Sequence, residues 1–179
     1  MRIFSAVDIE NEELLAELER VREKVDLGFN PVPKDKMHIT LQFFEEVDQR
    51  QLEAIEKGLG TISTQPFAAE ISGVGAFPSE DYIRVVWAGA EKQKLGELYQ
   101  KVSESHQVPE DSGHDFHPHV TLARVKDVSS SKMRKLQRVL KEFSGHSFST
   151  LEVDAVKLFE SRLTGKGSEY RVIREVELG

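Results

Sequence analysis

Apolar and polar positions along the chain change period repeatedly, and the changes mark out its elements. Residues 2–8 alternate as a strand does. From Asn11 onward, Leu14, Leu15, Leu18, Val21 and Val25 recur at helical spacing. Pro31 and Pro33 interrupt that pattern. A run of strand formers from Met37 to Phe44 follows, and then an amphipathic segment carrying Leu52, Ile55 and Leu59. Residues 67–77 and 82–90 read as strands, and Leu95, Leu98, Tyr99 and Val102 mark a third helix. A strand at 119–125 leads to a fourth helix with Met133, Leu136, Val139 and Leu140. Strands at 148–159 and 170–176 close the chain.

The order β-α-β-α-β thus occurs twice, and one ungapped shift of 81 positions aligns most of both halves. It carries Leu14 onto Leu95, Val21 onto Val102, Phe67 onto Phe148, and Leu52, Ile55 and Leu59 onto Met133, Leu136 and Leu140. It also carries His38-Ile39-Thr40-Leu41 onto His119-Val120-Thr121-Leu122. Apolar periodicity alone would align many pairs of αβ segments. The tetrads are harder to obtain by chance, since six His and six Thr placed at random in 179 residues would form only about 0.2 His-x-Thr pairs. The expected fold is therefore α+β, with two pseudo-symmetric lobes from an internal duplication. Each lobe would be a mainly antiparallel sheet with helices on its outer face, and a cleft would separate them. Residues 1–179 would form a single domain, with the break between lobes near Pro78 to Tyr82.

Composition narrows the function. The chain is 39% hydrophobic and 31% charged, as in a globular protein. No apolar run approaches the roughly 20 residues of a membrane span, and the opening residues read as a strand, so a cytoplasmic location is expected. Cysteine is absent, which excludes disulfides, thiolate ligands and a cysteine nucleophile. The net charge of −7 argues against a broad footprint on duplex nucleic acid but leaves room for a local basic pocket that grips a terminus.

The tetrads have a definite chemistry. On a strand, positions i and i+2 share a face, so each tetrad presents an imidazole and a hydroxyl to one surface and anchors its apolar residues in the other. Pseudo-symmetry would gather two imidazoles and two hydroxyls around one small space. That set suits a phosphodiester: one imidazole takes a proton from the attacking water, the other protonates the departing oxygen, and the hydroxyls bond the nonbridging oxygens. An unperturbed histidine pKa of about 6.5 permits both protonation states near neutrality, so neither metal nor nucleotide energy is required.

With Phe116-His117-Pro118 leading into His119 and Arg124 five residues after it, the tetrads resemble those of the RNA 2',3'-cyclic phosphodiesterases of the two-histidine phosphoesterase superfamily, also called 2'-5' RNA ligases. The resemblance extends over nearly the whole chain, from Arg2-Ile3-Phe4 through Arg84 to Gly89 to the closing Ser161 to Tyr170 segment. It implies hydrolysis of a terminal ribose 2',3'-cyclic phosphate to a 2'-phosphate without a cofactor or metal. It further implies that His119 is the proton acceptor and His38 the proton donor. Thr40 and Thr121 would hold the phosphate, Arg124 would add positive charge and Phe43 would stack on the terminal base. The implied partner is an RNA end or short oligonucleotide, engaged by a monomer. A 5'-hydroxyl in place of water would give ATP-independent 2'-5' ligation. Phe43 and Arg124 each lie five positions after a histidine, which an ideal strand sends to the opposite face, so both roles demand a bulge or a strand end.

Other readings compete. His114, His117 and His119 with Asp115 could form a metal cluster, though at no familiar spacing. His114 and His117 otherwise flank the site, and His106 and His146 read as helix-end or loop positions. Lys34, Lys36, Arg162 and Lys166 read first as solvated charge, Trp87 and Phe77 as core. Thr164-Gly165-Lys166-Gly167-Ser168 fails the spacing of a phosphate-binding loop. Small cyclic nucleotides or 2'-5' oligoadenylates are alternative substrates, and a non-catalytic RNA-end-binding module is the non-enzymatic alternative.

Overall fold

The computed structural model describes residues 1–111, 113 and 115–179; Ser112 and His114 lie outside the described residues. Among the described residues, ten strands and four α-helices follow in the order β1 (Ile3–Asp8), α1 (Glu12–Val25), β2 (Asn30–Pro31), β3 (His38–Phe44), α2 (Gln49–Leu59), β4 (Phe67–Ala69), β5 (Ile71–Pro78), β6 (Ile83–Ala90), α3 (Lys92–Glu104), β7 (His119–Arg124), α4 (Ser130–Phe143), β8 (Leu151–Val153), β9 (Ala155–Thr164) and β10 (Gly167–Glu177). A single 3₁₀ turn, Lys34–Lys36, precedes β3. The helices start where their caps allow. Asn11 accepts from the Leu14 amide, Asp48 and Gln51 form a reciprocal capping box, and Ser129, at the repeat position of Asp48, accepts from the Lys132 amide.

All the strand pairings among the described residues are antiparallel, and the main sheet runs β10-β9-β1-β3-β7-β6-β5. Its two halves, β9-β1-β3 and β5-β6-β7, meet where β3 faces β7. There a single pairing, Ile39 with Val120, joins two residues that are themselves 81 apart. The pseudo-two-fold axis passes through that pair. On either side of it the strands diverge, and each gains a short substitute partner. Asn30 of β2 pairs with Arg124, and Asp111, 81 positions after Asn30, donates its amide to the Phe43 carbonyl at 2.9 Å. Helix α1 packs on β7 and α3 on β3. The helix of each repeat thus covers the tetrad strand of the other, and one continuous core includes Leu14, Leu18, Ile39, Leu95, Val120 and Leu136.

The expected lobes are present, but the chain does not divide between them near 78–82. Pro78 and Ile83 are register partners in the β5–β6 hairpin, inside one half of the sheet. The strands of the main sheet change halves between β3 and β5 and again between β7 and β9. Turn-forming composition marks a reversal, and a hairpin reverses the chain as surely as a linker does. Each of the expected strands at 67–77 and 148–159 is also broken in two. Its first piece pairs with its counterpart as β4–β8, and its second joins the main sheet as β5 or β9. Among the described residues no helix is long and apolar enough to cross a membrane.

Candidate active site

The tetrad strands both carry the irregularity that the spacing demands. Between β1 and β3 the register steps from Ser5 opposite Gln42 to Ala6 opposite Thr40, which leaves Leu41 as the extra residue. Between β6 and β7 it steps from Val86 opposite Ala123 to Trp87 opposite Thr121, which leaves Leu122. The two bulged leucines are repeat partners. An extra residue inverts the alternation beyond it, so Phe43 joins the face of His38 and Thr40, and Arg124 joins that of His119 and Thr121. Continuing the register of Ile39 and Val120 sets His38 across from Thr121 and Thr40 across from His119. The same pair therefore brings both histidines and both tetrad hydroxyls to the seam.

Both rings are held in one tautomer. His38 Nδ1 lies 2.8 Å from the Lys36 carbonyl, and His119 Nδ1 lies 2.7 Å from the His117 carbonyl, again 81 positions apart. A carbonyl only accepts, so each Nδ1 carries a hydrogen and each Nε2 is the nitrogen left for chemistry. His38 Nε2 is 3.0 Å from the Thr40 hydroxyl. Burial lowers both pKa values below the usual histidine range, opposed in each case by the backbone hydrogen bond. The charges around them differ. Asp8, register partner of His38, raises its pKa, whereas Arg124 and His119 lower it. His119 is paired with Gly89 instead, and the charges of His117 and Arg124 both lower its pKa.

Two hollows flank the seam and share Thr40 and Phe43. The larger, about 630 Å³, is bounded by His119 and by aromatic side chains: Phe43, Phe77, Tyr99 and Phe116. Tyr99 and Phe116 are stacked, with centroids 4.4 Å apart, and the Tyr99 hydroxyl donates to the Glu110 carboxylate. The smaller, about 270 Å³, contains His38, Thr121 and Arg124, with Arg2, Lys36 and Tyr170. All six residues expected at the site thus line one cleft.

Several other readings change. Phe77 belongs to the wall of the site, edge-on to His119 at 5.0 Å, and Trp87 packs on Phe77 at 5.1 Å and on the His117 ring at 4.9 Å. Trp87 fits because its partner is Gly75, where a Cβ would come within 2.5 Å of the indole. His106 does follow α3, but it is buried and bonded at 3.0 Å to Gln42 within the bulged strand. Lys36 is not merely solvated, since it lines the smaller hollow and donates to the Ser168 carbonyl at 2.7 Å. Arg162 is paired with Glu160 at 3.0 Å. The Thr164 to Ser168 segment is the β9–β10 turn, closed by the Thr164 hydroxyl donating to the Gly167 carbonyl. His114, one member of the suggested metal cluster, lies outside the described residues. Among those described, no three metal-binding side chains converge. Arg2, Tyr170, Asp8 and Tyr99 were not marked as site residues by the sequence. Strand pairing brings in the first three and the packing of α3 on β3 brings in Tyr99, and no local motif signals either.

Comparison with known proteins places this geometry. The family described as LigT like Phosphoesterase matches the chain twice, over residues 7–87 and 89–170, one match for each repeat. A protein of Methanocaldococcus jannaschii named RNA 2',3'-cyclic phosphodiesterase is 33% identical over 177 residues, covering 98% of this chain and 99% of its own. One of the same name from Archaeoglobus fulgidus is 34% identical over 190 residues, covering 99% and 100%. A crystal structure of a Thermus thermophilus protein superposes with a TM-score of 0.79 at 29% identity, over 99% of this chain and 97% of that one. E. coli LigT complexed with NADP+ shares the fold, with a TM-score of 0.75 at 23% identity over 99% and 97%.

Proposed function

Because the chain belongs to the LigT-like phosphoesterase family, we propose that it hydrolyses the terminal 2',3'-cyclic phosphate of RNA to a 2'-phosphate through His38 and His119. The observation that carries the reading is the crossed arrangement at the seam, in which two tautomer-locked imidazoles offer Nε2 to one cleft beside the two tetrad hydroxyls.

The cyclic phosphodiester sits between the rings. Thr40, Thr121 and Arg124 bond its nonbridging oxygens, where negative charge concentrates during transfer. Neutral His119 takes a proton from water at Nε2 as the water oxygen bonds to phosphorus. The bond to the ribose 3'-oxygen breaks in line, and His38 delivers its Nε2 proton to that oxygen. The product is a 2'-phosphate with a free 3'-hydroxyl. Turnover leaves His119 protonated and His38 neutral, and exchange with solvent restores both. A ribose 5'-hydroxyl in place of water gives a 2'-5' linkage by the same steps. The terminal base enters the aromatic hollow and stacks on Phe43. The charge pattern supports the assignment of roles, since Asp8 helps His38 keep a proton while His117 and Arg124 help His119 to lose one. An RNA substrate agrees with a cytoplasmic reaction, and a site lined by residues of one chain agrees with a monomer.

The test is incubation with RNA ending in a 2',3'-cyclic phosphate, with EDTA present, and identification of the product. A 2'-phosphate from the wild type, with severe loss in His38→Ala and His119→Ala, is expected. Undiminished turnover in both variants overturns the mechanism. Activity lost in EDTA and restored by zinc favours a metal-dependent reaction. Tight binding of the RNA end with its phosphate left intact favours a binding module.

A further inference from the structure

The smaller hollow holds more positive charge than one phosphate uses. Arg2, Lys36 and Arg124 all line it, and no carboxylate does, in a chain of net charge −7. Arg124 follows the His119 tetrad and belongs with the reacting phosphate. The other two cations line it together with Tyr170 and Ser168. Arg2 is fixed in place. Its guanidinium lies over the Phe43 ring at 4.9 Å, yet its buried Nε has no hydrogen-bond partner. The residue nonetheless lines the hollow. Lys36 uses one hydrogen on the Ser168 carbonyl and lies 6.0 Å from the Tyr170 ring centroid, which leaves other hydrogens for a ligand.

We propose that Arg2 and Lys36 form a second phosphate subsite, which receives the phosphodiester on the 5' side of the terminal nucleotide and selects oligonucleotide ends over free cyclic mononucleotides. The inference rests on the reaction proposed above. Its geometry follows from the leaving group. His38 protonates the 3'-oxygen, so the ribose lies on the His38 side, and the next phosphate along the backbone is one sugar away on that same side. Phe43 borders both hollows. The terminal nucleotide is then held by its base in the aromatic hollow, by its cyclic phosphate at the seam and by its 5' phosphate on Arg2 and Lys36. Arg2 offers that phosphate its terminal guanidinium nitrogens, whose paired donors suit phosphate oxygens.

The experiment compares two dinucleotides ending in a 2',3'-cyclic phosphate, one joined by an ordinary phosphodiester and one by a neutral methylphosphonate, with the 2',3'-cyclic mononucleotide alongside. The wild type is expected to favour the charged linkage by roughly tenfold to a hundredfold in kcat/KM, the value of a charge-assisted hydrogen bond. The mononucleotide should behave like the neutral dinucleotide. In Arg2→Gln the preference for the charged linkage should collapse toward unity, and in Arg2→Lys part of it should remain. Lys36→Gln, in the 3₁₀ turn, should reduce the same ratio and keeps the test open if Arg2→Gln fails to fold. Equal turnover of the two dinucleotides by the wild type, or an unchanged ratio in both neutral variants, overturns the subsite and leaves the reaction standing. Failure of the wild type to cleave any of the three overturns the reaction and the subsite together.

Discussion

The two tetrad strands agree in backbone and differ in surroundings. Each bears a bulged leucine, each holds its histidine through the carbonyl two residues earlier, and each is covered by the other repeat's helix. Around that shared frame almost nothing else matches. His38 stacks on Phe4 at 4.8 Å, meets Tyr170 edge-on and has Asp8 as its strand partner. His119 has Phe77 and Trp87 as neighbours, Gly89 as strand partner and His117 close by. Phe43 and Arg124 occupy equivalent positions with unlike chemistry. Duplication explains how two imidazoles come to share one cleft, and divergence around them is what gives the imidazoles separate jobs.

The largest effect tests that division directly. Removing either imidazole should lower turnover of the cyclic phosphate by about 10²–10⁴-fold. The two losses should differ on an aryl phosphodiester that releases 4-nitrophenolate, because that group departs without a proton. His38→Ala should regain most of its turnover there, and His119→Ala should not. Rescue of His119→Ala alone would reverse the assignment.

A smaller effect separates the two positions that follow the tetrads. Arg124→Met removes a charge from the reacting phosphate and should reduce kcat/KM by the equivalent of about 1.5–3 kcal/mol, whichever nucleoside is attached. Phe43→Leu removes a stacking surface and should cost about 1–3 kcal/mol, but only on substrates that carry a base. A cyclic phosphate of a base-free sugar distinguishes them. If Phe43→Leu impairs that substrate too, the ring acts through the strand or through Arg2 and not on a base.

What could be read from the chain was whatever local spacing encodes. The tetrads, their 81-residue offset and the need for a bulge before Phe43 and Arg124 all follow from counting positions on a strand. The location of the bulges at Leu41 and Leu122 did not, because it depends on the registers with β1 and β6. Asp8 reaches His38, and Arg2 the same hollow, because β1 pairs with β3, and Tyr170 reaches them because β9 and β10 return from the far end of the chain to lie beyond β1. Trp87 reads as core because most strand tryptophans are largely buried, and Ala6 stands at its repeat position in the other half. The facing glycine, Gly75, is what leaves room for the indole beside the His117 and His119 rings. Gly75→Ala should therefore disturb only the His119 side, costing about 1–3 kcal/mol of stability through overpacking. Chemical denaturation would measure that loss, and an unchanged midpoint would show that the indole moves aside freely.

The smallest effect lies in the pH dependence. A general base must be neutral, so activity falls as pH drops through the pKa of His119. A general acid must be protonated, so activity falls as pH rises through the pKa of His38. Burial lowers both values, which sets the optimum of kcat/KM on the acid side of the ordinary histidine range. Asp8 opposes that lowering only for His38, although its carboxylate is shared with Lys157 at 3.0 Å. Asp8→Asn removes the negative charge and leaves the Lys157 ammonium less compensated, and both changes make His38 harder to protonate. The alkaline limb should move to lower pH while the acidic limb stays, narrowing the bell. Movement of the acidic limb instead would mean that His38 has the lower pKa of the pair, and the contrast between Asp8 and Gly89 would no longer account for the direction of proton transfer.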